Sequence, residues 1–541
     1  MPRRTSVKPS ACYNASVIQN YENSSDIQML AWSSRKNFPA MNRVSNASRM
    51  RLVIALFLIS LCACAAQAQT TDVRVQVLST SPARVRVEGE RRPATKAWAF
   101  RNSYAGMVGI GERVENFSLT NAQGESVSVR KTAPGEYEAS AEAARFSYEV
   151  KLEPPAFTTD SAYISWLTPE RGFLMLGDLL PRVPVEGNAA QSVNIRFALP
   201  ASWSVFSNEA KGADGQFIVK EQAAARFFVG QDLRERRLRA GSMDFSLVVA
   251  GNWAFTDEEV AEAAQNILKE HERTMGGSPA QSSVMLMLSP YPRSVGAERW
   301  SAETRGGNVV LLSGRHPSKI AGLALLSTPL THELFHLWVP NALSLDGSYD
   351  WFYEGFTLYQ AMRAGMKLGL LTFQDYLNAM GRANDIYLSA QDRDKWSLVE
   401  ASERRWTGAT ALIYNKGMLV AFLYDLYLRE HSGGKRSLDN VYRELFRLYG
   451  RSGSRMEGNS AVIHALGGTG ETRDFVRRYI ESPAAIDLKS VLTIYGLQVL
   501  SGTARTHVQL ADSLSREQRD LLRQLGYNDK VERDRRGARS R

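Results

Sequence analysis

His332-Glu333-Leu334-Phe335-His336 constrains this chain more than any other segment, because two imidazoles stand four residues apart with a carboxylate directly after the first. In an α-helix four residues advance about 400°, so both His side chains leave one face and Glu333 leans beside them. The pattern assembles only on a helix. Neutral imidazole nitrogens bind Zn²⁺ well, a third protein ligand leaves one position for water, and the ion draws that water's pKa towards neutrality. Glu333, one residue off the ligand positions, suits the general base that takes the proton. Thr328-Pro329 offers an N-cap and a proline at the first helical position, and Pro340 marks the end, so a helix is predicted between them.

The third ligand is expected downstream. Trp351-Phe352-Tyr353-Glu354-Gly355-Phe356-Thr357 embeds one carboxylate among apolar and aromatic residues. Burying such a group is costly unless it meets a cation or a hydrogen-bond donor, and a metal supplies the cation. Glu354 is therefore the expected oxygen ligand, to one Zn²⁺ per chain.

Together the two segments resemble the glycyl-aminopeptidase-type metallopeptidases, metallopeptidase family 61, of the gluzincin clan. Tyr414-Asn415-Lys416-Gly417-Met418-Leu419-Val420, leading to Asp425-Leu426 and Ser437-Leu438-Asp439, is similar to that family's second recognisable stretch. The resemblance is strong over roughly residues 241–450 and faint elsewhere. It implies His332, His336 and Glu354 as ligands, Glu333 as base, and an aminopeptidase favouring small first residues. It also suggests Tyr414 as the hydroxyl that binds the oxyanion, beside the reading of a core tyrosine with a satisfied hydroxyl. Gly296-Ala297-Glu298-Arg299 resembles the family's glycine-rich segment, whose carboxylate can meet a substrate's free amine. Arg299 stands where the family usually has His and only one Gly remains, so Glu298 reads equally as a loop glutamate paired with Arg. The alternatives to an aminopeptidase are a zinc endopeptidase of the same fold and a non-catalytic binding or scaffold protein on it. Those scaffolds usually lose a ligand or the base, and neither is lost here.

The rest of the chain sets the context. Residues 1–49 read as an unstructured extension or a mis-assigned start, and residues 50–68 as a signal peptide: Arg49 and Arg51, an apolar run from Leu52 to Ala66, and Ala66-Gln67-Ala68 before Gln69. The apolar run is short for a bilayer span, so an exported, periplasmic or secreted protein with no transmembrane anchor is expected. Leu61-Cys62-Ala63-Cys64 also resembles a lipoprotein box, with Cys64 as the acylated residue and an outer-membrane location. All three Cys, at 12, 62 and 64, fall in or before this segment, so no disulfide framework is expected after it.

The chain's net charge of +10 dissolves on division. Residues 1–68 hold eight Lys/Arg against two Asp/Glu, which leaves +4, and residues 516–541 hold nine against five, which accounts for that remainder. The body is near neutral, without the basic patch that nucleic acid requires. Peptides are the expected partners, and oligomeric state is left open.

Period-two patterns at Val73/Val75/Val77, Phe146/Tyr148/Val150/Leu152 and Val193/Ile195/Phe197/Leu199 predict half-buried antiparallel strands, hence a β-sandwich over 69–240. Beyond it, Thr256-Asp257-Glu258-Glu259 is a capping box, Val284–Leu288 and Asn308–Leu312 read as strands, and helices dominate from 322. The expected class is α+β: the sandwich, a thermolysin-like gluzincin catalytic domain over 241–400, a helical C-terminal lobe over 401–515 and a charged tail over 516–541. About sixty residues follow 480, short for the PDZ module with which the resembled family often continues, so no complete PDZ domain is expected.

Overall fold

The computed structural model describes residues 69–182, 191–450, 455–467, 470–500 and 505–528. The expected extension, signal, acylated Cys64 and the second half of the charged tail lie outside the described residues. Among the described residues the strands form nine-, four- and five-stranded sheets and three two-stranded pairs.

The alternating segments form strands as their period predicts. Gln69–Thr80 runs antiparallel to Ala83–Ala99 and parallel to Gln191–Ala198, and Ala83–Ala99 pairs antiparallel with Glu136–Lys151. Their inward residues, including Val75, Val85, Val87, Tyr148 and Ile195, share a core with Leu174, Phe227 and Val229 of the four-stranded sheet. The next residues along those short strands, Phe173, Met175 and Phe228, face the opposite way and pack on Val248, Met287, Val310 and Leu312 of the five-stranded sheet. Phe173 and Phe228 stack with ring centroids 4.5 Å apart. A one-residue change of face thus places the four-stranded sheet between two cores.

The five-stranded sheet is ordered Arg234–Ala240, Met243–Val249, Ser283–Pro290, Asn308–Ser313, Trp300–Arg305. Arg234–Ala240, the end of the segment expected to be sandwich, pairs with this sheet. The three middle strands are mutually parallel. The second face of this sheet, with Leu247, Leu286, Leu288 and Leu311, joins the core of the helices. Burial on both faces explains why these strands read as continuous apolar runs and not as alternations. The capping box opens the helix Asp257–Met275, with Thr256 accepting from the Glu259 N–H.

Residues from 319 onward are mainly helical, as expected, and residues 455–528 hold helices and one hairpin, Leu497–Leu500 with His507–Leu510. None of the helices among the described residues is long and apolar enough to cross a membrane.

Candidate metal centre

The helix that carries His332 differs from the sequence expectation at both ends. It spans Lys319–Phe335, opens on Ser318, and holds Pro329 in its interior. Proline costs a helix one backbone hydrogen bond; nearby, Ser327 Oγ donates to the Ala324 carbonyl at 2.7 Å and Thr331 Oγ1 to the Ser327 carbonyl at 2.6 Å. Tertiary burial of its apolar surface overrides the local start signal at Thr328-Pro329. His336 is the C-cap and keeps a right-handed helical backbone, so the two imidazoles share one face as the spacing predicts.

Two π-helical turns complete the site. Glu354 lies in Trp351–Phe356, and Tyr414 lies in Leu412–Lys416, each running directly into an α-helix. They pack through glycine: a Cβ on Gly355 would stand 2.6 Å from both Gly417 Cα and the Ile413 carbonyl oxygen. Only bare backbones can approach so closely. Such π-turns recur at functional sites because they re-aim side chains.

The expected ligand atoms converge. His336 Nε2 is 3.0 Å from His332 Nε2, Glu354 Oε2 is 3.2 Å from His332 Nε2, and Glu354 Oε2 is 3.5 Å from His336 Nε2. All three residues and Glu333 are buried. His336 Nδ1 donates to the Val339 carbonyl at 2.8 Å, which turns the Nε2 lone pair of the neutral ring towards the other two atoms. His332 Nδ1 is buried without a hydrogen-bond partner among the described residues.

Glu333 stands beside this cluster, its ligand atom within 4.8 Å of those of both His residues. Thr304, on the edge strand Trp300–Arg305, donates to Glu333 Oε2 at 2.7 Å. Burial raises the Glu333 pKa, while the two imidazoles and Thr304 pull it down only in part. For Glu354, burial also opposes ionisation, but Arg405 and His336 outweigh it and hold the carboxylate well below its usual range. Burial disfavours a charged His336, yet Glu354 outweighs it and raises that pKa.

Sequence reasoning missed Arg405. Its Nη2 lies 2.8 Å from Glu354 Oε1 and donates to the Tyr414 hydroxyl at 2.6 Å, while Nη1 donates to Asp350 Oδ1 at 3.0 Å. Arg405 therefore joins the Glu354 turn to the Tyr414 turn, and Tyr414 lines the same cleft as Glu333. Thr304 and Tyr163, also cleft-lining, were equally absent from the sequence reading. Nothing local marks them, since each reaches the site from another segment.

The cleft encloses about 470 Å³ and is lined by His332, Glu333, His336, Glu354, Arg405 and Tyr414 among others. Glu298 is exposed in the turn before the edge strand and is not among the lining residues. The carboxylate that does line the cleft from this region is Glu303, five residues later along the chain. The strand carries Glu303 into the cleft wall, whereas Glu298 precedes the strand.

No family model matches the sequence, and no curated protein matches it. Among solved structures, the fold is similar to that of an aminopeptidase N family protein from Idiomarina loihiensis, with TM-score 0.68, 18% identity, and coverage of 83% of this chain and 82% of that one. It is also similar to a mutant of the M1 zinc metallopeptidase from Deinococcus radiodurans, with TM-score 0.50, 15% identity, and coverage of 78% and 95%. The chain thus has the fold of aminopeptidase N-type proteins, a mixed assembly of sheet and helix with a helical C-terminal part. The second neighbour is an M1 metallopeptidase, not a member of family 61, the family that the sequence motifs resemble.

Proposed function

We propose that this chain is a zinc-dependent peptidase, in which His332, His336 and Glu354 hold one Zn²⁺ and Glu333 is the general base. The observation that carries the reading is the convergence of two imidazole nitrogens and one carboxylate oxygen at 3.0, 3.2 and 3.5 Å from one another in a buried cleft. Ligands at about 2.0–2.1 Å from a tetrahedral zinc are about 3.3 Å apart, so this triangle fits the ion. The donor chemistry fits too. Lone pairs brought so close repel unless a proton or a cation lies between them, and the Val339 carbonyl already occupies the Nδ1 proton of His336.

Zn²⁺ bound there would supply Lewis acidity, polarising a peptide carbonyl and acidifying water. The protein's own groups divide the remaining work. Thr304 holds Glu333 Oε2 and fixes the carboxylate beside the cluster, so that the base can accept a proton from water and return it to the leaving amine. Tyr414, held by Arg405 through its oxygen, keeps its O–H free to donate to the developing oxyanion. Export from the cell remains part of the proposal on the sequence of residues 50–68 alone.

The test is peptide hydrolysis by zinc-loaded protein compared with Glu333→Gln. The variant is expected to fold and bind zinc normally while losing about 10² to 10⁴ in rate, the usual contribution of a general base. A variant that retains full activity would overturn the assignment of the base. Purified protein without stoichiometric zinc, and inert whether or not zinc is added, would overturn the reading as a whole.

A further inference from the structure

The strand Trp300–Arg305 ends the five-stranded sheet, and among the described residues it pairs on one side with Asn308–Ser313 and carries no strand on the other. All six of its residues line the cleft. Thr304 fixes where this strand stands against the catalytic groups, because its Oγ1 donates to Glu333 Oε2 at 2.7 Å. Side chains alternate along a strand, so Trp300 and Ala302 leave the same face as Thr304. With a rise of about 3.3 Å per residue, Trp300 stands about 13 Å along the strand from Thr304.

Trp300 is 39% exposed, and among the described residues its indole has no ring, cation or hydrogen-bond partner. Trp406, the other tryptophan that lines the cleft, has Arg405 Cζ 4.5 Å from its ring centroid. Beside Trp300, Ser301 Oγ donates to the Thr159 carbonyl at 2.7 Å, which holds the segment that carries Phe157 against this end of the strand. Phe157 is 74% exposed. One exposed ring is ordinary on a protein surface. Two on neighbouring segments, at the end of a cleft whose middle is charged, make an apolar end to it.

A peptide lying along the free edge would share the strand's rise, so its residues opposite Trp300 and Thr304 are four apart whichever way it runs. The base has to stand within hydrogen-bond reach of the water that attacks the carbonyl, which puts the cleaved bond near Thr304.

We propose that Trp300 is a specificity-determining residue that binds an aromatic or aliphatic side chain about three or four residues from the cleaved bond. The inference rests on the peptidase reading above and names its substrate class: peptides long enough to span this wall, with an apolar residue at that distance. Such a side chain covers the open indole and leaves water, and contact between rings adds to the gain from burial. Peptides that end short of Trp300 gain nothing from it.

The experiment uses zinc-loaded full-length protein and peptides of about ten residues, long enough to cover the strand. A single Phe replaces Ser at successive distances from the cleaved bond, and each product is identified by mass. With Phe at the third or fourth residue from the bond, on one side of it, kcat/KM is expected to rise about three- to tenfold over the Ser parent, mainly through KM. Trp300→Ala and Trp300→Gln should each flatten that profile, and Trp300→Phe should keep most of it. A flat wild-type profile, a maximum at another distance, or a maximum that survives in Trp300→Ala or Trp300→Gln would overturn this inference and leave the peptidase reading intact. A wild-type protein inert towards every peptide would remove the peptidase reading and this inference with it.

Discussion

Replacing Arg405 with Met should separate the protein's stability with zinc from its stability without it. The guanidinium is largely buried and touches Glu354 Oε1 at 2.8 Å, Asp350 Oδ1 at 3.0 Å and the Tyr414 hydroxyl at 2.6 Å. Removing one partner of a buried ion pair costs about 3–5 kcal/mol, because the remaining charge stays buried without compensation. Without zinc, Asp350 loses its cation and Glu354 keeps only the two imidazoles beside it, so most of that cost is expected. At roughly 2 °C per kcal/mol, suitable for larger domains, the melting temperature should fall by about 6–10 °C in chelator. With zinc bound, Glu354 keeps a positive neighbour, so the deficit should shrink by about half. Thermal unfolding of wild type and Arg405→Met, each in chelator and in excess zinc, measures both terms. Equal deficits in the two conditions would refute the argument that Glu354 serves both cations.

Three further outcomes follow from buried groups near the site. Lys416 is fully buried, its Nζ lies 5.9 Å from the Tyr387 ring centroid with no hydrogen-bond partner among the described residues, and burial pulls its pKa down to about 8 from 10.5. The unfolded chain therefore binds more protons between those values, stability should rise with pH across that window, and at pH 7 the charged form costs about 3 kcal/mol. Lys416→Met should recover much of that cost and flatten the alkaline rise in chemical denaturation; a destabilised variant would refute it. His271, buried behind the helix Lys319–Phe335 with Nε2 2.9 Å from the Thr331 carbonyl oxygen, has its pKa lowered by burial from 6.5 to about 4. Here too the unfolded state binds the extra proton, so stability present above pH 6.5 should be lost, by about 3 kcal/mol, as pH falls to 4. His271→Gln should lack that component of the acid slope, and an unchanged slope would count against it. Gly355→Ala must push Gly417 and Ile413 away from contacts of 2.6 Å, so a loss of about 1–3 kcal/mol is expected, with a larger loss of hydrolysis because Glu354 and Tyr414 are displaced together. Normal activity in that variant would show that the close glycine contact is dispensable.

Much of the candidate site's convergence was legible because its information is local. Four-residue spacing decides which face of a helix His332 and His336 share, and a lone carboxylate in Trp351–Phe356 announces a charge in need of a cation. The period-two strands, the capping box at Thr256 and the apolar strands after 283 were legible for the same reason. The helix start was not: Thr328-Pro329 has the local form of a beginning, but burial continues the helix through it from Lys319.

What tertiary structure alone decided is which distant groups serve those local patterns. Arg405 lies 51 residues beyond Glu354 in sequence, Thr304 lies 29 before Glu333, and Tyr104 lies 199 before Glu303. No periodicity links such pairs, because their proximity depends on how sheets and helices stack and on the glycine contact between two turns. By itself the sequence determined the expected donors and their chemistry through backbone geometry over a few residues. The fold decided their partners, the wall opposite them and the charge that wall offers, since packing sets those over the whole chain.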